Sequence, residues 1–150
     1  MKPLILLIAV FTISAVTAKF STGNWNVVFS GNLAMCMMLC FTALGHFKFA
    51  KGMTMMLPGS IPFRTQIVFL TGIAEIAFGL ALPFPTLRYW AGIILIALFI
   101  VILPANIYAA VKHINYETAA FDGKGPGYLW IRVPMQVLFI LWVLYFSVKK

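Results

Sequence analysis

The sequence predicts an all-α, polytopic membrane protein: a four-helix bundle with an additional amino-terminal hydrophobic helix. Three observations carry that expectation. First, 63% of the 150 residues are hydrophobic and only 9% are charged, too few polar side chains to cover a water-soluble globule of this size. Second, four stretches of about 20 largely apolar residues are each long enough, at about 1.5 Å rise per residue, to cross a hydrocarbon core of roughly 30 Å. Third, the basic residues and most of the Trp and Tyr side chains gather near the ends of these stretches.

The elements follow in order. Residues 3–18 form a shorter apolar segment behind Lys2, and Val16-Thr17-Ala18 resembles a secretory cleavage site, so this segment fits either a spanning helix or a signal sequence. Retention as a helix is the expectation. The four longer spans are expected at 28–47, 62–83, 88–110 and 128–147 within a single domain covering 1–150. Between the second and third of these, Pro83 to Thr86 is a short link whose two prolines end one helix and set a tight reversal. The flanking helices are therefore antiparallel neighbours. The links 47–61 and 111–127 are longer, and DGKGPG in the second lacks the spacing of a phosphate-binding loop and reads as a flexible turn.

The formal charge of +8 does not point to nucleic acid, because the basic residues form no compact cluster with interleaved aromatics. They fit membrane topology instead. With alternating helices, Lys2, Lys48, Lys51, Arg64, Lys112, Lys124 and Arg132 fall on one side and Lys19, Arg88, Lys149 and Lys150 on the other. The positive-inside rule then predicts a cytoplasmic (inner) membrane protein with its amino terminus in the cytoplasm and its carboxyl terminus outside. Trp25, Tyr89, Trp90, Trp142 and Tyr145 at the outer ends, and Tyr108, Tyr116, Tyr128 and Trp130 at the inner ends, match the preference of these rings for the headgroup region.

Glu75 is the anomaly in LTGIAEIAFGL. It sits about thirteen residues into its expected helix, roughly 20 Å from the cytoplasmic end. An ionised carboxylate there costs about 2.5–3.5 kcal/mol on insertion scales, so it should face protein or water, hold a partner or carry a proton. Gly72 and Gly79 share its helix face and would let a neighbouring helix approach closely enough to shield it. His46, Asn106, Arg132 and Gln136 are the other polar groups of the spans, and with Glu75 at the floor they would line one inward-facing cavity. Pro104 would leave a partly unwound segment beside Asn106. Ordinary helix-to-helix hydrogen bonding is the alternative for Asn106, and snorkelling to phosphate headgroups the alternative for Arg132. The sulfur-rich MCMMLC and MTMM read as pliable apolar packing, since Cys36 and Cys40 lie four apart on one helix, so no metal site is expected.

Several motifs together resemble the DoxX-like family of small bacterial membrane proteins. They are Gly45-His46-Phe47, Met56-Leu57-Pro58 with Pro62, Leu70-Thr71-Gly72-Ile73-Ala74-Glu75-Ile76, Leu103-Pro104-Ala105-Asn106-Ile107-Tyr108 and Trp130-Ile131-Arg132-Val133-Pro134-Met135-Gln136, in family order over about residues 30–147. The resemblance implies a core of four membrane helices and an association with quinone-linked membrane redox systems. It assigns no catalytic residues; His46, Glu75, Asn106 and Arg132 fall on its motif positions as site candidates.

Two functional readings follow. The first is an accessory subunit of quinone-linked membrane redox metabolism, with His46, Glu75, Asn106, Arg132 and Gln136 around a quinone-like or lipid ligand. Lacking an evident electron carrier, it would need a membrane redox partner protein and is not a stand-alone enzyme. The second is a non-catalytic assembly factor or interaction partner that docks another membrane protein through small-residue faces and loops. A homo-oligomer is compatible with both. A transporter is a weaker third reading, because no repeated pair of broken helices is present.

Overall fold

The computed structural model describes residues 2–150 and is all-helical. Helix α1 spans Lys2–Thr22, α2 Val27–Lys48, the short α3 Ala50–Met55, α4 Arg64–Ala81 and α5 Arg88–Val111; a 3-10 turn at Pro126–Tyr128 leads into α6, Leu129–Val143, which continues as a π-helical segment, Leu144–Lys149. Among the described residues the only β pairing is an isolated bridge between Asn115 and Ala120. Five of these stretches are long and apolar enough to cross a membrane: α1, α2, α4, α5 and the continuous 126–149 run.

Helix α2 is the central element. Half of its apolar span is buried, against about a fifth for α4, α5 and the last helix. It packs on α1 along one face and on α4 along another, and touches α6 and the π segment; α5 packs on α4, α6 and the π segment. The shared core draws Leu7 from α1, Met35, Met38 and Leu39 from α2, Leu95 and Phe99 from α5 and Phe139 and Val143 from α6. The outward faces stay apolar, with Ile13, Leu44, Leu70, Val101 and Leu141 exposed.

Successive long helices alternate in direction. Lys2, Met56, Tyr116 and Arg132 meet around one pocket at one end, and the Arg88 guanidinium donates to the Lys150 backbone oxygen at 3.0 Å at the other. The α4–α5 reversal is tight, the amides of Leu87 and Arg88 both donating to the Phe84 carbonyl.

Three local features differ from the sequence expectation. Helix α5 stays helical from Arg88 to Val111 straight through Pro104; Gln136 Nε2 donates to the Phe99 carbonyl close to where the proline interrupts the ladder. The 112–127 link is folded. The Asn115 amide donates to the Ala120 carbonyl at 2.8 Å and the Gly123 amide to the His113 carbonyl at 2.7 Å, while Gly125 adopts φ 71°, a left-handed angle that favours glycine. Trp142 is used in packing rather than only at an interface: its ring meets Phe11 edge-on at 5.1 Å and its indole N–H donates to the Gly31 carbonyl at 2.9 Å.

The π segment explains a polar cluster that the sequence does not advertise. Widening the helix removes regular i→i−4 partners, and Asn32 of α2 fills the gap. Its Nδ2 donates to the carbonyls of Val28 and Phe146, both at 2.9 Å, and its Oδ1 accepts from the Ser147 hydroxyl at 2.6 Å. Gly31 makes room, for a Cβ there would collide with the Phe146 ring. Replacing Asn32 by Leu strands the Ser147 hydroxyl and the Phe146 carbonyl, and is expected to lower stability by about 1–3 kcal/mol per stranded group, read as a lower unfolding midpoint of the detergent-solubilised full chain with helix content retained.

Candidate functional site

Glu75 lies eleven residues past Arg64, at the start of α4, hence about 16 Å along the helix at about 1.5 Å per residue. It is buried, and its partner is His46 of α2: Nε2 of the imidazole stands 3.5 Å from Glu75 Oε1. Two glycines permit this. A Cβ on Gly72 would lie 2.7 Å from His46 Cβ, and one on Gly79 would lie 3.2 Å from Leu39 Cβ. Because α4 presents bare backbone one turn on either side of Glu75, α2 comes close enough to bring its imidazole onto the carboxylate and to cover it.

The remaining atoms of the pair are also engaged. His46 Nδ1 is 3.0 Å from the Val68 carbonyl oxygen and 3.2 Å from the Thr71 hydroxyl, whose own proton goes to Val68 O at 2.9 Å. A carbonyl only accepts, so Nδ1 carries a hydrogen. On the carboxylate side, the Thr42 hydroxyl lies 3.1 Å from Glu75 Oε2 and 3.0 Å from the Leu39 carbonyl, and its single proton serves one of them. With Nδ1–H committed to α4, Nε2 and Oε1 face each other across the place of one further proton. Held on either side, that proton leaves the pair with zero net charge, the arrangement an apolar interior tolerates best.

A second polar chain joins α5 to α6. Asn106 Nδ2 donates to Gln136 Oε1 at 3.2 Å, and Gln136 Nε2 donates to the Phe99 carbonyl. That carbonyl sets the direction of both amides: Gln136 must turn its NH2 toward Phe99, so its oxygen faces Asn106, and Asn106 must answer with its own NH2. Asn106 Oδ1 is left buried without a partner.

Arg132 and Asn106 border a pocket of about 460 Å³ where the start of α1, the end of α5, the 112–127 link and the start of α6 meet; His46, Glu75 and Gln136 are not among its walls. Arg132 is half-buried, its guanidinium 5.9 Å from the centre of the Tyr116 ring. The Tyr116 phenol is pushed above its ordinary range, first by burial and then by the neighbouring Glu117 carboxylate, so near neutral pH it remains a donor, lying 3.4 Å from Glu117 Oε1. Gly52 of α3 packs directly on the Tyr116 carbonyl, which fixes the link against the helices.

The five candidate residues therefore divide into groups. His46 and Glu75 meet between α2 and α4, Asn106 and Gln136 between α5 and α6, and Arg132 joins Asn106 at the pocket. The pocket near Arg132 is not floored by Glu75; the close approach of α2 at Gly72 and Gly79 lets His46 cover that carboxylate instead. Thr42 was missed in the sequence, although it lies four residues before His46 and so on the same helix face. Tyr116 and Lys124 in the link read in the sequence only as an interfacial aromatic and a basic flank, since loop folding alone brings them to the pocket that Arg132 lines. Among the described residues no group of three or more His, Cys, Asp or Glu could hold a metal ion.

The dependence on Gly72 is open to test. Gly72→Ala is expected to push α2 from α4, breaking the His46–Glu75 contact and lowering stability by about 1–3 kcal/mol, the usual range for overpacking. The infrared carboxyl band assigned to Glu75 should shift while circular dichroism keeps its helical form. Gly59→Ala, where an added Cβ meets nothing within 4 Å, should leave both unchanged.

Comparison with known proteins adds a family. Neither the curated proteins nor the solved structures contain a match to this chain. A family model matches residues 35–147, from the middle of α2 to the π segment and across all five candidate residues. With well over half of its length matched, the chain belongs to the family described as a domain of unknown function (DUF8561).

Proposed function

We propose that this is a multi-pass protein of the cytoplasmic membrane, DoxX-like in type, acting as an accessory subunit of quinone-linked redox metabolism. In this reading α2, α4, α5 and α6 form the four-helix membrane core and α1 lies against α2, with the amino terminus in the cytoplasm and the carboxyl terminus outside. Lipid as the solvent accounts for the exposed aliphatic side chains and for the inward turn of the intramembrane polar groups toward partners within the chain.

The observation that carries the functional reading is the buried contact between His46 Nε2 and Glu75 Oε1. The pair holds one exchangeable proton deep in an apolar helix, and a neighbour whose own charge changes would alter where that proton rests. A quinone is such a neighbour: its reduction to quinol takes two electrons and two protons. In this reading the electrons come from a partner flavoprotein or haem protein, and the His46–Glu75 pair relays protons to a quinone-like head group. Asn106 and Gln136 hold α5 to α6, and Arg132 serves the pocket at the helix ends. The assembly-factor reading has weaker support, since the small-residue faces it would use are occupied within the chain. Gly31 faces Phe146, Gly72 faces His46, Gly79 faces Leu39 and Gly92 faces Ser147.

Purification of the full chain in mild detergent, followed by extraction and quantification of bound quinone, tests the reading. Near-stoichiometric quinone is expected, falling at least about tenfold, or about 1.4 kcal/mol of binding, in Glu75→Leu and His46→Leu. Glu75→Gln should keep the quinone and lose quinone-linked respiration in cells lacking the native copy. Quinone-free protein of native stability, or full respiration with Glu75→Gln, rejects proton relay at this pair.

A further inference from the structure

The pocket at the ends of α1, α5 and α6 has the chemistry of a second site, separate from the His46–Glu75 pair and independent of any quinone. Its volume of about 460 Å³ lies within the ~300–1,000 Å³ typical of small-molecule sites. Its walls carry three cations, Lys2, Lys124 and Arg132, against two carboxylates, Glu117 and Asp122. The carboxylates already accept hydrogen bonds, Glu117 from Tyr116 at 3.4 Å and Asp122 from Thr118 at 3.1 Å. The cations have no such partners: among the described residues the one contact within 4.0 Å between oppositely charging groups is His46–Glu75. The Arg132 guanidinium lies over the Tyr116 ring with its fork of donors uncommitted, and that fork suits a phosphate.

Asn106 supplies the second half of the recognition. It is 7% exposed, and of the α5 residues lining the pocket it lies deepest in the helix. Its Oδ1 has no partner, and the Phe99–Gln136–Asn106 chain holds it as an acceptor. An unsatisfied buried acceptor costs about 1–3 kcal/mol, and only a hydrogen-bond donor removes that cost. Arg132 lies four residues, about one helical turn, before Gln136 on α6, Gln136 is the side chain that Asn106 touches, and Arg132 and Asn106 line the same pocket.

The geometry points to a ligand that joins a phosphate anion to a hydroxyl donor a few bonds away, a glycerophosphate-type group, with the phosphate on Arg132 and Lys124 and the hydroxyl on Asn106 Oδ1. A lipid headgroup and a free glycerophosphate share this chemistry. Arg132 merely snorkelling to phosphates would respond to any anionic lipid and would be indifferent to Asn106.

The test uses the full chain in neutral detergent, with thermal unfolding followed during titration with phosphatidylglycerol, with phosphatidylmethanol, which keeps the anion but has no headgroup hydroxyl, with phosphatidylcholine, and with soluble glycerol 3-phosphate. Phosphatidylglycerol is expected to raise the midpoint at a concentration at least about tenfold lower than phosphatidylmethanol, and phosphatidylcholine should have no effect. Arg132→Gln and Lys124→Gln should each weaken that response by about tenfold or more, and Asn106→Ala should abolish the preference for the hydroxyl-bearing lipid. The double variant Lys149→Gln with Lys150→Gln, which removes two charges at the opposite end, should leave it intact. A response to glycerol 3-phosphate at comparable concentrations identifies a soluble ligand, and a response to the lipid alone identifies a membrane headgroup. Equal response to the two anionic lipids, or an undiminished response in both Arg132→Gln and Lys124→Gln, overturns the proposal.

Discussion

The close approach of α2 to α4 governs the interior of this protein. It exists because Gly72 and Gly79 leave α4 without side chains at the points where His46 and Leu39 arrive. From that contact follow the coverage of Glu75, the capture of His46 by the Val68 carbonyl and the Thr71 hydroxyl, and the central place of α2 in the core.

Elsewhere the polar side chains of the apolar helices obey one constraint, which is that a buried donor or acceptor must be answered from within the chain. Asn32 answers the π segment, and Gln136 answers the Phe99 carbonyl beside the proline-interrupted turn of α5. Both amides sit where helical hydrogen bonding departs from its regular pattern, and both tie that departure to a neighbouring helix. Among the described residues Asn106 Oδ1 is the exception, and Asn106 borders the pocket. An unanswered acceptor beside a polar pocket, near cations that make no close ion pair, separates that end of the molecule from the satisfied interior.

Much of the architecture was legible in the sequence because it depends on local composition. The lengths of the apolar runs mark the long helices to within a few residues, as with 28–47 against Val27–Lys48 and 88–110 against Arg88–Val111. Two prolines mark the reversal after α4. Glu75 was visible as an anomaly, and its flanking glycines marked the face along which another helix would come, since the 3.6-residue period places them together. The folded 112–127 link was not legible: Gly123 and Gly125 look like flexibility until their contacts with the Ile114 and His113 backbone and the His113 ring are seen.

What the sequence determined by itself was therefore the inventory, namely which segments are helical, which of their side chains are polar and which faces are bare enough for contact. Tertiary structure alone decided the pairing: that His46 goes to Glu75, Asn106 to Gln136 and Arg132 to Tyr116. The physical reason is that helix formation and apolar length are summed along the chain, residue by residue, whereas a partner is chosen by the rotation and spacing of helices packed from distant segments. A shift of one helix by a single residue turns its side chains by about 100°, so the same inventory would give different pairs.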